Sequence, residues 1–218
     1  MMDGDNLFAE QSRIAKAASV ALAAYVLIAS ATYAVVDIFF HESDALYLVS
    51  SILVWGLGFV LLVQLMQASA PAGEAHRGGI GGYFGLSLIS SFAIGFATLF
   101  FILPGIYLAM RWMPSFARLY HESEGVTDAL GWSWEHTAPL QKSLLVAMIG
   151  PVALYLVFFA LIVWQGFYYD GASDLTYNAV VIAMNLTASI AIAWFQLIGV
   201  AAYRLIQRAH SQPVEVFE

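Results

Sequence analysis

The sequence predicts an all-α fold: a polytopic membrane helix bundle with six transmembrane helices and a short interfacial helix on the cytoplasmic side. Two observations predict this class. Hydrophobic residues make up 61% of the chain and charged residues 11%, whereas soluble domains contain about 45–50% and 25%. The apolar residues also form runs close to the roughly 20 residues that a helix needs to cross a bilayer. We therefore expect residues 1–218 to form a single integral membrane domain.

Six apolar segments fit membrane-crossing helices, at residues about 17–40, 45–68, 80–103, 105–120, 143–167 and 176–203. Pro104-Gly105 separates the third segment from the fourth, because proline removes a backbone hydrogen bond and clashes with the preceding turn. Gly150-Pro151 predicts a kink in the fifth segment for the same reason. The alternative is a single crossing over residues 80–120 with residues 111–120 flat on the surface, which would leave five spans.

The basic residues predict how the chain is threaded. Seven of the eight Lys and Arg residues fall on one side of the six-span layout: Arg13, Lys16, Arg77, Arg118, Lys142, Arg204 and Arg208. The alternate gaps, residues 41–44 and 168–174, contain histidine and acidic residues but no Lys or Arg. Because cytoplasmic loops are enriched in Lys and Arg, this distribution predicts that both termini are cytoplasmic. The five-span alternative puts five basic residues on the far side, so six spans are favoured.

Composition and motifs argue against several function classes. The formal net charge of −7 argues against nucleic-acid binding, which needs clustered Lys and Arg. The absence of cysteine excludes disulfides and thiolate metal sites, and no H-E-x-x-H, G-x-S-x-G or P-loop motif is present. One cluster of histidine and acidic residues has a spacing that fits no standard metal-ligand motif: His121, Glu122, Glu124, Glu135 and His136. We therefore predict no enzyme activity, no cofactor, and no catalytic or metal-binding residue.

Arg111 is the one basic residue inside a predicted span. It lies roughly 10 Å below the outer end of the fourth segment, and Asp37 lies roughly 5 Å below the outer end of the first. Because a charge at that depth costs a few kcal/mol unless it pairs or reaches the interface, the sharp hypothesis is an Asp37–Arg111 pair. The alternative is that Arg111 faces a wet cavity or the interface. Asn185, Gln64 and Gln196 are predicted to form hydrogen bonds between helices.

Two segments carry small residues at four-residue spacing, which lets helices approach closely within a membrane. In the third segment these residues are Gly78, Gly81, Gly82, Gly85, Ser87, Ser91 and Gly95. In the sixth segment they are Ala179, Ala183, Thr187 and Ala191. The favoured interpretation is packing within the monomer, and the alternative is the seam of a homodimer.

After the fourth segment, residues 127–137 predict a short helix along the cytoplasmic face. Its helical spacing is carried by Val126, Leu130, Trp134 and Thr137. Thr127 is a plausible cap for its first turn, and Pro139 is predicted to end it. Trp132 and Trp134 would anchor this helix at the level of the lipid headgroups.

The segment from Leu103 to Thr137 resembles a known family. In order, it contains Pro104-Gly105-Ile106-Tyr107-Leu108-Ala109, Arg111, Glu124-Gly125, Ala129-Leu130 and Ser133-Trp134-x-x-Thr137. These motifs are similar to those of the membrane domain attached to some glycerophosphoryl diester phosphodiesterases and of the related YciC-type bacterial inner-membrane proteins. Gly131-Trp132 departs from the pattern, since basic residues are expected before the serine.

The resemblance implies a location in the bacterial inner membrane and no catalysis. In fused relatives the phosphodiesterase chemistry belongs to a separate soluble domain, for which we expect no room in this chain. The candidate structural or functional residues on the motif are Pro104, Gly105, Arg111, Glu124, Ser133, Trp134 and Thr137, to which the spans add Asp37 and Asn185.

The sequence thus predicts a non-catalytic, multi-pass protein of the bacterial inner membrane that organises lipids or partner proteins. Its expected partners are membrane lipids, with another membrane protein or a second copy of the chain as a further candidate. The alternative is a transporter of a small or lipid-like solute, because Pro104-Gly105 and Gly150-Pro151 interrupt helices in the two halves of the chain. A third hypothesis is an intramembrane hydrolase that uses the stretch from His121 to His136.

Overall fold

The computed structural model describes residues 4–71, 78–168 and 173–211, and the all-α class is confirmed in this part of the chain. Arg77 and residues 169–172 of the second acidic gap lie outside the described residues. One 3₁₀ turn, Ala138–Leu140, precedes the seventh helix. The α-helices are α1 (Gly4–Ala17), α2 (Ser19–Phe39), α3 (Asp44–Ser69), α4 (Ile80–Phe100), α5 (Ile102–Glu122), α6 (Val126–His136), α7 (Gln141–Tyr168) and α8 (Asp174–Ser211).

The chain divides into two compact units. Unit 1 is formed by Met1–Ala17, Leu62–Ala147 and Gln196–Glu218, and therefore contains α1, α4, α5 and α6. Unit 2 is formed by Ala18–Leu61 and Met148–Phe195, and contains α2. Helices α3, α7 and α8 each contribute residues to both units.

Five helical segments in the described ranges are long and apolar enough to cross a membrane. They are Ser19–Phe39, Asp44–Ser69, Ile80–Phe100, Ala138–Phe167 and Asp174–Ser211. Large apolar side chains on them, such as Leu48, Phe92 and Phe159, are exposed. Keeping such surface in water costs about 25 cal/mol per Å², so a lipid environment suits these helices. The sixth predicted span corresponds to α5, which contains Arg111, Arg118, His121 and Glu122 and does not fall in this set.

The first predicted segment, residues 17–40, corresponds to α2 (Ser19–Phe39), and a break in the helix separates it from a preceding helix, α1. The break falls at Ala18, after which α2 begins at Ser19. The preceding helix, α1, is amphipathic and buries side chains spaced three or four residues apart: Leu7, Glu10, Gln11 and Ile14. Sequence analysis missed α1 because two of the four residues on its buried face are polar.

The α4–α5 connection consists of a single residue. Phe101 is extended (φ −155°, ψ 131°), and α5 begins immediately after it at Ile102. The break predicted at Pro104-Gly105 is therefore displaced, because Pro104 lies within the first turn of α5, where its missing N–H would have had no partner in the helix. Gly105 lies so close to the Thr98 hydroxyl that a Cβ at this position would clash with it.

Helices α4 and α5 pack antiparallel over their whole length. At one end Gly105 meets Thr98, and at the other the Gly78 N–H donates to the Tyr120 carbonyl over 2.8 Å. Between these ends, a Cβ on Gly82 would lie 3.2 Å from Leu119. The predicted packing of small residues within the monomer is confirmed for Gly78 and Gly82, whereas Gly81 and Gly95 have nothing within 4 Å among the described residues.

Helix α6 also packs antiparallel, against α5. A buried cluster of Leu86, Leu119, Ala129 and Leu130, with Trp112, Phe116 and Val126 around it, joins α4, α5 and α6. The observed helix, Val126–His136, is displaced by one residue from the predicted 127–137. Its N-cap residue is Gly125, so the cap predicted at Thr127 is wrong. Pro139 lies in the 3₁₀ turn that follows, and α6 ends before it as predicted.

Helix α7 runs from Gln141 to Tyr168 and contains Pro151. The preceding Gly150 admits the Trp194 ring, and a Cβ at this position would clash with the ring. Gly150 therefore has a packing role inside unit 2, while the kink predicted at Gly150-Pro151 stays a prediction.

Adjacent glycines at the start of the α4–α5 pair provide a matched test of the packing. A Cβ on Gly78 would lie 2.5 Å from the Tyr120 Cα, whereas a Cβ on Gly79 would have no atom of the described residues within 4 Å. Gly78→Ala should destabilise the protein by about 1–3 kcal/mol, because backbone cannot move aside as a flexible side chain can. Gly79→Ala should change the free energy of unfolding by less than about 0.5 kcal/mol. Unfolding of the detergent-solubilised variants measures both, and equal effects would contradict close packing at Gly78.

Candidate functional site

Arg111 lies at the centre of the contact between α5 and α6. The residue is only 5% exposed. Its guanidinium donates through Nη2 to the Trp134 carbonyl, and its Cζ lies 4.6 Å from the centre of the Trp134 ring. Its Nε has no hydrogen-bond partner, and no carboxylate of the described residues lies within 4 Å of it. Arg111 is therefore a buried cation whose partners in this part of the chain are neutral.

Four residues of the motif segment form one connected network. The Ser133 hydroxyl donates to the Arg111 carbonyl, and the Thr137 hydroxyl donates to the Ser133 carbonyl, each over 2.7 Å. Arg111 closes the network through Trp134, whose ring also meets Tyr107 edge-on at 5.8 Å. Ser133 and Thr137 are fully buried. These residues were selected from the sequence as a motif, and the structure brings them together to hold α6 against α5.

Arg118 lies two helical turns further along α5 and has a similar aromatic partner but a different charge environment. Its Cζ lies 5.0 Å from the centre of the Trp132 ring. Its guanidinium binds Glu124 over 2.8 Å and Glu122 over 3.2 Å. Glu124, a predicted site residue, is thus a counter-ion of Arg118. The two arginines of α5 therefore differ in one respect that matters for binding: Arg118 is neutralised, and Arg111 is not.

Asp37 and Asn185 meet inside unit 2. The Asn185 side-chain amide donates to Asp37 Oδ2 over 2.7 Å, and the Tyr47 hydroxyl donates to Oδ1 over 2.7 Å. The prediction that Asn185 joins helices is confirmed. The contacts of these two residues are not those of the predicted Asp37–Arg111 pair. Two neutral donors bind the Asp37 carboxylate, and the Trp134 carbonyl accepts a hydrogen bond from the Arg111 guanidinium.

The histidines near α6 form aromatic contacts. His136 stacks on Trp132 with ring centres 4.8 Å apart, and it lies 5.0 Å from His210. His121 contacts Glu122 over 3.0 Å and the Tyr203 hydroxyl over 2.7 Å. Among the described residues, no three His, Asp or Glu side chains are placed to hold a metal ion.

Arg204 is a buried residue that sequence analysis treated only as a topology marker. It is 1% exposed. It donates to the Ser69 hydroxyl over 2.9 Å, to the Met66 carbonyl over 3.2 Å and to the Gln207 side chain over 2.8 Å. These bonds tie the last turns of α8 to the end of α3 within unit 1. No sequence signal separates Arg204 from Arg208, since both follow the same apolar run.

Glu10 on α1 connects two arginines. Its carboxylate binds Arg13 over 2.7 Å and Arg208 over 2.8 Å. Burial on its own would raise the pKa of Glu10, but the hydrogen bonds and charges of the two arginines outweigh burial and lower the pKa below the usual 4.5. The ionised form is therefore the one that fastens α1 to the end of α8.

The lowered pKa of Glu10 predicts how stability depends on pH. Since the folded state binds this proton more weakly than the unfolded state, the stabilisation is complete above the unfolded value of 4.5 and is lost as pH falls through the folded value. Glu10→Gln should cost about 1 kcal/mol near pH 7, and its difference from wild type should shrink below about pH 4. Unfolding curves at several pH values measure this. The exposed Glu135→Gln is the control, and a pH-independent Glu10→Gln effect would contradict the mechanism.

The hydrogen bond from Ser133 to the Arg111 carbonyl predicts how a substitution at Ser133 changes the free energy of unfolding. Ser133→Ala removes one buried hydrogen bond and should lower the free energy of unfolding by about 1 kcal/mol. The exposed Ser12→Ala should have no measurable effect. Unfolding in detergent compares the two variants, and a neutral Ser133→Ala would show that the bond to the Arg111 carbonyl does not hold α6 in place.

Comparisons with known proteins found no match. No protein-family model matches the chain, and neither a curated protein nor a solved structure matches it. The resemblance of residues 103–137 to the phosphodiesterase membrane domain therefore stays a hypothesis, and functional inference depends on the site itself.

Proposed function

We propose that this chain is a non-catalytic, multi-pass protein of the bacterial inner membrane that organises lipids or a partner protein. In this proposal six helices enter the membrane and both termini are cytoplasmic. The resemblance of residues 103–137 to the membrane domain of glycerophosphoryl diester phosphodiesterases supports the location. Seven of the eight basic residues fall on the side assigned to the cytoplasm.

The pairing of α4 with α5 supports an even number of membrane helices. Both helices contain 21 residues, and they contact each other at both ends. If α4 enters the bilayer, α5 returns beside it to the side from which α4 entered. In this proposal helix α5 is the sixth membrane helix, and both termini lie on the cytoplasmic side whatever depth the pair reaches.

Arg111 is the single observation that carries the lipid-organising role. The Arg111 guanidinium is buried without a counter-ion among the described residues, and phosphate is an anion that guanidinium binds well. Its neighbour Trp134 is 41% exposed, and tryptophan is enriched at the boundary between lipid and water. The ligand chemistry that fits is an anionic phospholipid headgroup.

The surrounding charges favour lipid binding over catalysis at this place. Arg118 is paired with Glu122 and Glu124. Among the described residues, the side-chain and carbonyl groups bonded to or stacked on Arg111 are the carbonyl and ring of Trp134 and the hydroxyl of Ser133, none of which is an ionised nucleophile or base. The site can therefore bind an anion and orient it, and its residues offer no acid–base pair for a reaction.

A comparison of two arginine variants tests whether Arg111 binds anionic lipid. Wild type, Arg111→Gln and Arg118→Gln are extracted with native lipid, and the bound lipids are quantified by mass spectrometry. Arg111→Gln should retain at least about tenfold less anionic phospholipid, because one charge-assisted hydrogen bond contributes about 1.5–3 kcal/mol. Arg118→Gln should retain wild-type amounts, because its charge is already neutralised by glutamates. Circular dichroism confirms that each variant is folded.

Other outcomes identify the alternatives. Undiminished anionic lipid on folded Arg111→Gln contradicts the lipid site. A single stoichiometric protein that stays bound to wild type would favour the organisation of a partner. A small polar solute that is retained only when Arg111 is intact would favour the transporter instead.

A further inference from the structure

The turn between α4 and α5 is unusually apolar. From Leu99 to Met110 the only side chain with a polar group is that of Tyr107. No other part of the described chain covers the turn, since Leu99 is 84% and Leu103 is 78% exposed. By contrast, the gaps assigned to the outer side, residues 41–44 and 168–174, carry histidine, glutamate and aspartate. A turn that emerged into water would expose a large apolar surface at high cost.

Helix α6 sets the depth of the α4–α5 pair. Along α6, Leu130 packs near Leu119, Ser133 bonds to Arg111, and Trp134 meets Tyr107. The end of α6 is therefore level with Arg111. Glu135 follows Trp134 directly and is exposed. An exposed carboxylate is very costly in hydrocarbon, so the boundary of the hydrocarbon lies at or beyond the level of Arg111, towards the turn.

The part of the pair beyond that level is too short to cross a bilayer. The rise from Ile102 to Arg111 is about 14 Å, whereas the hydrocarbon is about 30 Å thick. Burial changes at the same level, because the buried residues of α4 are Tyr83, Leu86 and Ser90 and no residue after Ser90 in this helix is buried. The side chains of α4 that pack into unit 1 therefore lie in its first half, whereas large apolar side chains near the turn, such as Phe96, Leu99 and Leu103, are exposed.

The backbone of the turn is compatible with hydrocarbon. Non-helical backbone is costly there because its polar groups find no water. Only Phe101 leaves the helical conformation, and its N–H donates to the Ala97 carbonyl over 3.1 Å. Pro104 contributes no N–H to the first turn of α5, which removes one of the donors that a helix start leaves unpaired.

We infer that the α4–α5 pair is a re-entrant hairpin whose turn, Phe100–Leu103, ends in the hydrocarbon among lipid acyl chains. The hairpin enters from the cytoplasmic side and occupies one leaflet, so neither helix crosses the membrane completely. The assignment of the side rests on the proposed function, whereas the depth does not. An apolar wedge in one leaflet, next to a cationic Arg111 at the headgroups, gives the proposed lipid organisation a physical form.

The absence of cysteine in the chain allows a direct test with single-cysteine variants. Leu99→Cys and Leu103→Cys probe the turn, Glu42→Cys probes the α2–α3 connection, and Ser12→Cys probes α1. A membrane-impermeant maleimide is added to intact cells and then to permeabilised cells. Because the thiolate is the reactive form and apolar surroundings raise the thiol pKa, both turn variants should react at least about tenfold more slowly than Glu42→Cys in either preparation. All four should react fully after denaturation in SDS.

Each result decides a separate point. Labelling of either turn variant in intact cells at the rate of Glu42→Cys would show a complete crossing and overturn the re-entrant hairpin. Rapid labelling of the turn only after permeabilisation would place it in the cytoplasm and overturn the inference as well. Labelling of Ser12→Cys in intact cells would overturn the proposed orientation while leaving the depth to the turn variants. A fluorophore attached to the thiol of the Leu103→Cys variant should be quenched most strongly by lipids that carry the quencher deep in the acyl chain.

Discussion

The contact between Arg111 and α6 is the interaction on which the arrangement of unit 1 depends. Helix α6 has eleven residues, which is too short for a stable helix on its own in water, and it is held by the bonds among Arg111, Ser133, Trp134 and Thr137. The network fixes the end of α6 to the middle of α5. It therefore also fixes the level along α5 at which the exposed carboxylate of Glu135 lies. The depth of the α4–α5 pair and the environment of Arg111 follow from this one contact.

The buried and partly buried charged residues of unit 1 differ in the groups that compensate their charge. Glu10 binds two arginines, Arg118 binds two glutamates, and Arg204 donates to three oxygen acceptors among the described residues. A buried charge is stable only with partners that replace its lost hydration. Arg111 has fewer of them than Arg204, since a single carbonyl and an aromatic ring replace several hydrogen bonds. This difference is the reason why the proposed lipid headgroup is assigned to Arg111.

The sequence predicts the fold class well because hydropathy and length alone require long apolar helices. It also selects Arg111, Ser133, Trp134 and Thr137, which do meet. It fails where three-dimensional packing decides: the amphipathic α1 resembles a polar tail, and Arg204 resembles a marker at the end of a span. Tyr47 could have been found, because it lies one turn after the start of α3 and Asp37 lies within the last turn of α2. The partner of Arg111 could not, since nothing in the sequence shows that α6 folds back along α5.

The order of residues along α5 explains why this helix is the difficult one to classify. A helix that crosses a membrane completely has polar residues at both ends, and an amphipathic helix on the surface has them along one face. Helix α5 has them at one end only: Arg111 and the charged residues after it occupy the second half, while the first half, from Ile102 to Met110, has no charge. The mean hydropathy of the whole helix hides this division, because the apolar first half and the charged second half average to an intermediate value. A helix divided along its axis suits a boundary that passes through its middle, and the antiparallel α4, which is buried only beside the charged half of α5, shows the same division.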